Sequence, residues 1–112
     1  MTISEAAKAL GAEIVQSEFL DCGLSEAYTS DLLSDVIANA VRTSGGALIT
    51  IQAHINTVAV ATLVGFSAII ICNSRPIPGD MIEAAKKEGI AILRVSENQF
   101  AVSGKLYSLF NN

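Results

Sequence analysis

The single histidine of this 112-residue sequence sits in the middle of an alternating segment, Thr50-Ile51-Gln52-Ala53-His54-Ile55-Asn56. Its even positions are polar and its odd positions apolar. A strongly apolar run, Ala47-Leu48-Ile49, precedes it, and an Ala/Val-rich helical run, Val58 to Val64, follows. In open α/β sheets ligands bind where strands end and helices begin. A helix N-terminus also draws anions through its free amides. Thr50, Gln52, His54 and Asn56 therefore form a hydrogen-bonding set suited to a nucleotide, phosphate or carboxylate. The plainer assignment is structural: Asn56 caps the helix, Gln52 tidies the strand end, and His54 is a satisfied, half-buried ring.

Asp31 and Asp35 stand at i, i+4, a spacing that puts both carboxylates on one helical face. Paired carboxylates can hold a divalent cation or do acid–base work, but they are also ordinary on a solvated face. Tyr28, just before this helix, is placed to form a wall for a planar ligand. One histidine with no nearby cysteine does not make a zinc site within one chain, and no metal or cofactor is expected. A hydrolytic set built from His54, Asp31 or Asp35, and Ser30 or Ser34 is conceivable, but no Gly-x-Ser-x-Gly elbow supports it. Gly45-Gly46 lacks the Gly-Lys-Ser/Thr ending of a phosphate loop, and no Gly-x-Gly-x-x-Gly occurs, which disfavours a kinase or nucleotide hydrolase.

These residues need elements to position them. Thr2-x-x-Glu5 fits a capping box, Ile3, Ala6, Ala7 and Leu10 form one face, and Gly11 is a C-terminal stop. Glu13-Ile14-Val15 is a short strand, and Phe19 to Leu24 is ambiguous. Tyr28-Thr29-Ser30-Asp31 opens a second helix, capped by Thr29 or Ser30. Its apolar stripe is Leu32, Leu33, Val36, Ile37, Ala40 and Val41, and Ser44-Gly45-Gly46 ends it. Ala47 to Ile51 is a strand covered on both faces. The next helix runs from about His54 or Asn56 to Val64, is apolar almost all round, and stops at Gly65. Ser67 to Cys72 is the next strand. Asp80-x-x-Glu83 caps a helix with Met81, Ile82, Ala84 and Ala85 as its buried face, closed by Gly89. Ile90 to Val95 is the last strand. Ser96-x-x-Gln99 caps a final helix presenting Phe100, Ala101, Leu106, Leu109 and Phe110. Strand starts near 47, 67 and 90 suit right-handed crossovers in a parallel sheet. The expectation is one three-layer α/β domain over residues 1–112, with a mostly parallel sheet, a β-α-β-α-β-α core and helices on both faces.

The bulk composition bounds the partners. Hydrophobic residues make up 51% and charged residues only 16%, against roughly 25% in typical domains. So little charge leaves apolar surface for another subunit, and a homo-oligomer is expected. A net charge of −4, with no basic cluster beyond Lys86-Lys87, offers no footprint for nucleic acid or an anionic membrane. Cys22 and Cys72 are isolated, as in a reducing compartment. Met1 to Glu5 has no basic n-region, and no apolar run reaches a membrane span. A cytoplasmic location is expected.

Three stretches resemble a known family. Tyr28 to Val36, Leu48 to Ala61 and Ala68 to Ile71 are similar to small stand-alone members of the DRTGG-domain family. Arg75-Pro76, Ala84-Ala85, Gly89 to Leu93 and Lys105-Leu106 are similar to the N-terminal domain of the HPr kinase/phosphorylase. Thr43-Ser44-Gly45-Gly46 resembles the end of the family's name-giving string, which is not otherwise present as a contiguous run. The resemblance spans nearly the whole chain. It implies an α/β regulatory or dimerisation module, found beside nucleotide-sensing CBS domains. It implies no catalysis, because the kinase's catalytic domain has no counterpart here.

The resulting expectation is a cytoplasmic, non-catalytic regulatory module. It dimerises through apolar faces and senses a small anionic or nucleotide-like ligand. Thr50, Gln52, His54 and Asn56 supply hydrogen bonds, with Asp31, Asp35 and Tyr28 across the cleft. The alternatives are a small hydrolase or phosphotransfer enzyme using His54 with Asp31 or Asp35, and a structural subunit docking on a larger enzyme.

Overall fold

Near-continuous apolar runs become strands only where both faces of a sheet are covered. In the computed structural model, which describes residues 1–18, 20–42 and 45–111, two such runs are neighbours at the centre of a sheet. They are β3 (Gly46–Thr50) and β4 (Phe66–Ile71). The flanking strands are β1 (Glu13–Gln16), β2 (Glu26–Thr29) and β5 (Ala91–Arg94), in the order β1-β5-β4-β3-β2. β2 through β5 run parallel, and β1 closes one edge antiparallel to β5.

Among the described residues five helices complete the three layers: α1 (Ile3–Leu10), α2 (Leu33–Asn39), α3 (Ile55–Val64), α4 (Gly79–Glu88) and α5 (Gln99–Phe110). Alternation along each strand divides the core in two. Ala47, Ile49, Ala68, Ile70, Ala91 and Leu93 point to α1 and α5. Leu48, Ile69, Ile71 and Ile92 point to the opposite face, against Val36 of α2, Val58 and Ala61 of α3, and Met81 and Ala85 of α4. All three crossovers between parallel strands thus lie on one face, and the other is covered by helices from near the chain ends. This is the expected three-layer α/β architecture.

Local signals explain most boundaries. Glu5 N–H donates to Thr2 Oγ1 at 3.1 Å and Thr2 N–H to Glu5 Oε1 at 2.8 Å, the reciprocal bonds of a capping box. Gly11, Gly65 and Gly89 take left-handed conformations just past their helices, where a Cβ would be strained.

Several expectations are corrected. Tyr28 and Thr29 do not open a helix: they belong to β2, and α2 starts at Leu33 behind Leu32, with no side-chain cap. Pairing with β3 outweighs the local helical pattern there. Glu26 to Thr29, not Phe19 to Leu24, is the second strand; Leu20 to Leu24 forms turns and a bridge, and Phe19 lies outside the described residues. Ser44 of the expected helix stop, and Thr43 and Ser44 of the family-like string, also lie outside them. The cap of α4 is Pro78, without a side-chain bond, and α5 is capped by Asn98, whose Oδ1 accepts from Ala101 N–H, not by Ser96. α3 buries Thr57, Val58, Val60, Ala61 and Val64 but leaves Ile55 and Leu63 exposed. α5 buries Val102 and Leu106, four residues apart; Phe100 falls on the far side and is 87% exposed.

Candidate functional site

The carboxyl ends of β2, β3, β4 and β5 share one edge, and most of the polar residues singled out above gather there. Thr50 is the last residue of β3 and is fully buried. Its Oγ1 accepts from Gln52 N–H at 3.1 Å, which turns the chain toward α3. Thr57 Oγ1, in the first turn of α3, donates back to Gln52 O at 2.6 Å. The backbone at Gln52 is therefore held from both sides, and its side chain is aimed across to the end of β2.

Gln52 Nε2 donates to the Asp31 backbone carbonyl at 2.6 Å, and Gln52 Oε1 lies 3.1 Å from His54 Nε2. Only one arrangement satisfies both contacts. The amide nitrogen must face the carbonyl, so the amide oxygen faces the ring, and His54 Nε2 must carry the hydrogen. The neutral ring then presents Nδ1 as an acceptor, and the charged ring presents a second donor. Gln52 and His54 are both half-buried. Asn56 is the second residue of α3 and is exposed. The capping position is His54, with no side-chain cap bond, so Asn56 does not cap this helix.

Asp31 and Asp35 are separated by the fold. Asp31 precedes α2 and is exposed, while Asp35 lies in its first turn. They do not share a helical face. Asp31 joins the Gln52 network through its main chain. Asp35 forms a second cluster, accepting from Tyr28 Oη at 2.9 Å and from Asn39 Nδ2 at 2.8 Å. Hydrogen bonds from Tyr28, then Ser30 and Asn39, hold the Asp35 carboxyl below the usual carboxylate range. The same contact, with partial burial, raises the Tyr28 phenol. Ser30 Oγ turns back on its own segment, 3.1 Å from Leu32 N and 3.2 Å from Leu32 O. Serine and carboxylate are thus neighbours at Ser30 and Asp35, but His54 meets the Gln52 amide instead, so histidine, carboxylate and serine hydroxyl do not form one chain of hydrogen bonds. Among the described residues no group of three His, Cys, Asp or Glu side chains forms a metal-binding cluster.

One part of this edge went unassigned in the sequence. β4 passes its chain to α4 on one face and β5 passes its chain to α5 on the other, which is the arrangement that opens a crevice in doubly wound sheets. Here the crevice is laced shut. Asn73 N–H donates to Glu97 O at 3.0 Å and Ser74 N–H to Val95 O at 2.8 Å. Both residues take left-handed backbone, with φ of 61° and 51°. The Asn-Ser-Arg-Pro string was the available signal, since Asn in particular tolerates that conformation. Below it the buried Cys72 thiol is pushed up to about 11, mainly by burial and then by Glu97. A hollow of about 540 Å³ lies at the opposite edge, lined by Ser25, Gly45 and Ser67 among others and by no Asp, Glu, Lys, Arg or His side chain.

No family model and no curated protein matches this chain. Its fold is similar to a solved structure of the CBS and DRTGG domains of the regulatory region of Clostridium perfringens pyrophosphatase, complexed with the activator diadenosine tetraphosphate. The TM-score is 0.69 at 15% identity, over 94% of this chain and 45% of that one. At that identity the likeness is one of fold, and this chain spans about half the length of that structure. No helix among the described residues is long and apolar enough to cross a membrane.

Proposed function

We propose that this chain is a non-catalytic regulatory module. It forms a homodimer and binds a small anionic or nucleotide-like ligand at the carboxyl edge of its sheet, on Gln52 and His54. The observation that carries this is the pair's fixed polarity. With Gln52 spent on Asp31 O and on the ring, the charged form of His54 offers Nδ1–H as a defined, half-buried donor at the start of α3, whose free amides favour negative charge. Asn56 stands one residue into that helix as a further donor. Buried Thr50 fixes the turn from beneath rather than touching the ligand. Asp31 contributes its carbonyl as an anchor, and Asp35 with Tyr28 braces the neighbouring wall.

The alternative of acid–base catalysis by His54 with Asp31 or Asp35 has weaker support, because His54 meets an amide and Asp35 is committed to Tyr28 and Asn39. The similar pyrophosphatase region is a regulatory one that was solved with a dinucleotide activator. That likeness favours sensing over chemistry.

Titration calorimetry against a panel of nucleotides and phosphorylated metabolites tests the proposal. One class of ligand should give saturable heat. His54→Ala should weaken it on the order of tenfold or more, as expected for losing one charge-assisted hydrogen bond, and Gln52→Ala should weaken it less, by releasing the ring that Gln52 orients. No heat from any member of the panel, or unchanged affinity in both variants, would overturn the assignment.

A further inference from the structure

The two edges of the sheet differ in how they meet solvent. At β1 the register with β5 breaks between Ile14 and Gln16, Gln16 Nε2 donates to Ile90 O at 2.9 Å, and Glu13 pairs with Arg94 at 2.7 Å. A broken, charge-decorated edge resists further pairing. β2 at the other edge has no bulge against β3 and contains neither lysine nor proline. Ser30 N–H donates to Ile49 O, and on the far side of β3 the Thr50 carbonyl accepts from Cys72 N–H. Backbone groups alternate along a parallel ladder, so Glu26 and Tyr28 face β3 while the N–H and C=O of Ala27 and Thr29 point outward.

Apolar side chains flank that open edge in both helical layers. Val41, just past α2, is 73% exposed, and Tyr107 of α5 is 71% exposed. Each borders a hollow that also touches Ala27, about 130 Å³ on the Val41 side and about 210 Å³ on the Tyr107 side. Gly104 shares a stripe of α5 with Phe100 and Tyr107, and a Cβ built there meets nothing within 4 Å. A glycine inside a helix is unfavourable, and none of the described residues uses the room it leaves. Of the described residues lining the two hollows only Glu26 carries a charge, and charge-poor centres mark protein interfaces.

We propose that the homodimer forms by antiparallel pairing of β2 with β2 of a second copy about a two-fold axis at Tyr28, with Tyr107 and Val41 closing over the joint. This rests on the dimer proposed above and is independent of the ligand. In that register Ala27 and Thr29 of the second copy exchange both N–H···O=C bonds, so every outward group of the strand is used. Glu26 lies opposite Ser30 of the second copy rather than opposite itself, so no like charges meet. An interface of standard size covers about 800 Å² per chain of a surface of 5612 Å². A four-residue strand does not reach that, so the helical shoulders belong to the joint.

Sedimentation velocity over a range up to about 100 µM, where mass action favours assembly, decides it with two variants. Ala27→Pro deletes an outward N–H that β3 does not use, a change edge strands tolerate. Tyr107→Lys puts a charge on an exposed position. The wild-type chain should sediment at twice its 11.7 kDa mass. Ala27→Pro should be monomeric with an unchanged far-UV spectrum, and Tyr107→Lys should raise the dissociation constant at least tenfold. If Ala27→Pro fails to fold, Tyr107→Lys decides alone. A dimer unaffected by the substitutions that fold overturns the β2 joint and assigns another face. A wild-type monomer at every concentration overturns the dimer itself, and the joint with it.

Discussion

At the scale of single residues, the Tyr28–Asp35 contact has a defined pH window. Asp35 is held below its ordinary value in the folded chain, so its contribution is full above the unfolded carboxylate range and disappears as pH falls through the folded value. Tyr28 is raised, so its part is full below the ordinary phenol range and is lost as alkali ionises the donor. Tyr28→Phe should therefore lower Tm at pH 7, and the deficit should shrink as pH is taken down past the carboxylate range. Thermal melts across an acid series check this; a deficit independent of pH would assign the loss to packing. Neither partner's role follows from its own place in the sequence. Asp35 looked like half of a carboxylate pair with Asp31, and only the β2 pairing turned Tyr28 toward it.

At the scale of elements, stability follows position in the sheet. Ile70 is fully buried in central β4 between α1 and α5, whereas Ile14 on edge strand β1 is 43% exposed. Ile70→Ala removes buried methyl groups and leaves a cavity, and should destabilise by about 2–5 kcal/mol. Ile14→Ala should cost well under half of that, since much of its side chain already meets water. Denaturant unfolding of both variants measures the difference. Strands β3, β4 and β5 were legible because their apolar runs exceed anything a solvated strand carries. β2 was not, because Glu-Ala-Tyr-Thr has weak strand character alone and a better local helical pattern follows it. The face of α5 was misjudged for a related reason. Apolar residues occur nearly all round it, so periodicity picked out Leu106 but could not choose Val102 over Phe100.

At the scale of the whole molecule, the two core clusters meet through one sheet, and the chain should open as a unit. Cys72 sits fully buried at the end of β4 with a thiol held near 11, while Cys22 is exposed. Only the thiolate reacts. Iodoacetamide at neutral pH should modify Cys22 promptly, and Cys72 at a rate set by unfolding, so that adding denaturant brings the two together. Mass spectrometry of timed samples reads this. Prompt labelling of both would mean that the carboxyl edge opens locally, undoing the closure by Asn73 and Ser74.

The sequence by itself determined the layers. Apolar runs without charge must be buried, glycines mark where three of the helices stop, and the spacing of strands leaves room for one helix each. It also placed Thr50, Gln52, His54 and Asn56 at a strand-to-helix junction, since an alternating polar pattern beside a buried run can hardly stand elsewhere. Only the tertiary structure decided which of these groups meet. The edge position of β2, the bond from Gln52 to the Asp31 carbonyl, the proton on His54 Nε2 and the lacing between β4 and β5 all join residues about twenty apart or more in the chain, apart from the neighbouring His54 and Gln52. Such contacts depend on strand order and register, which local pattern does not encode.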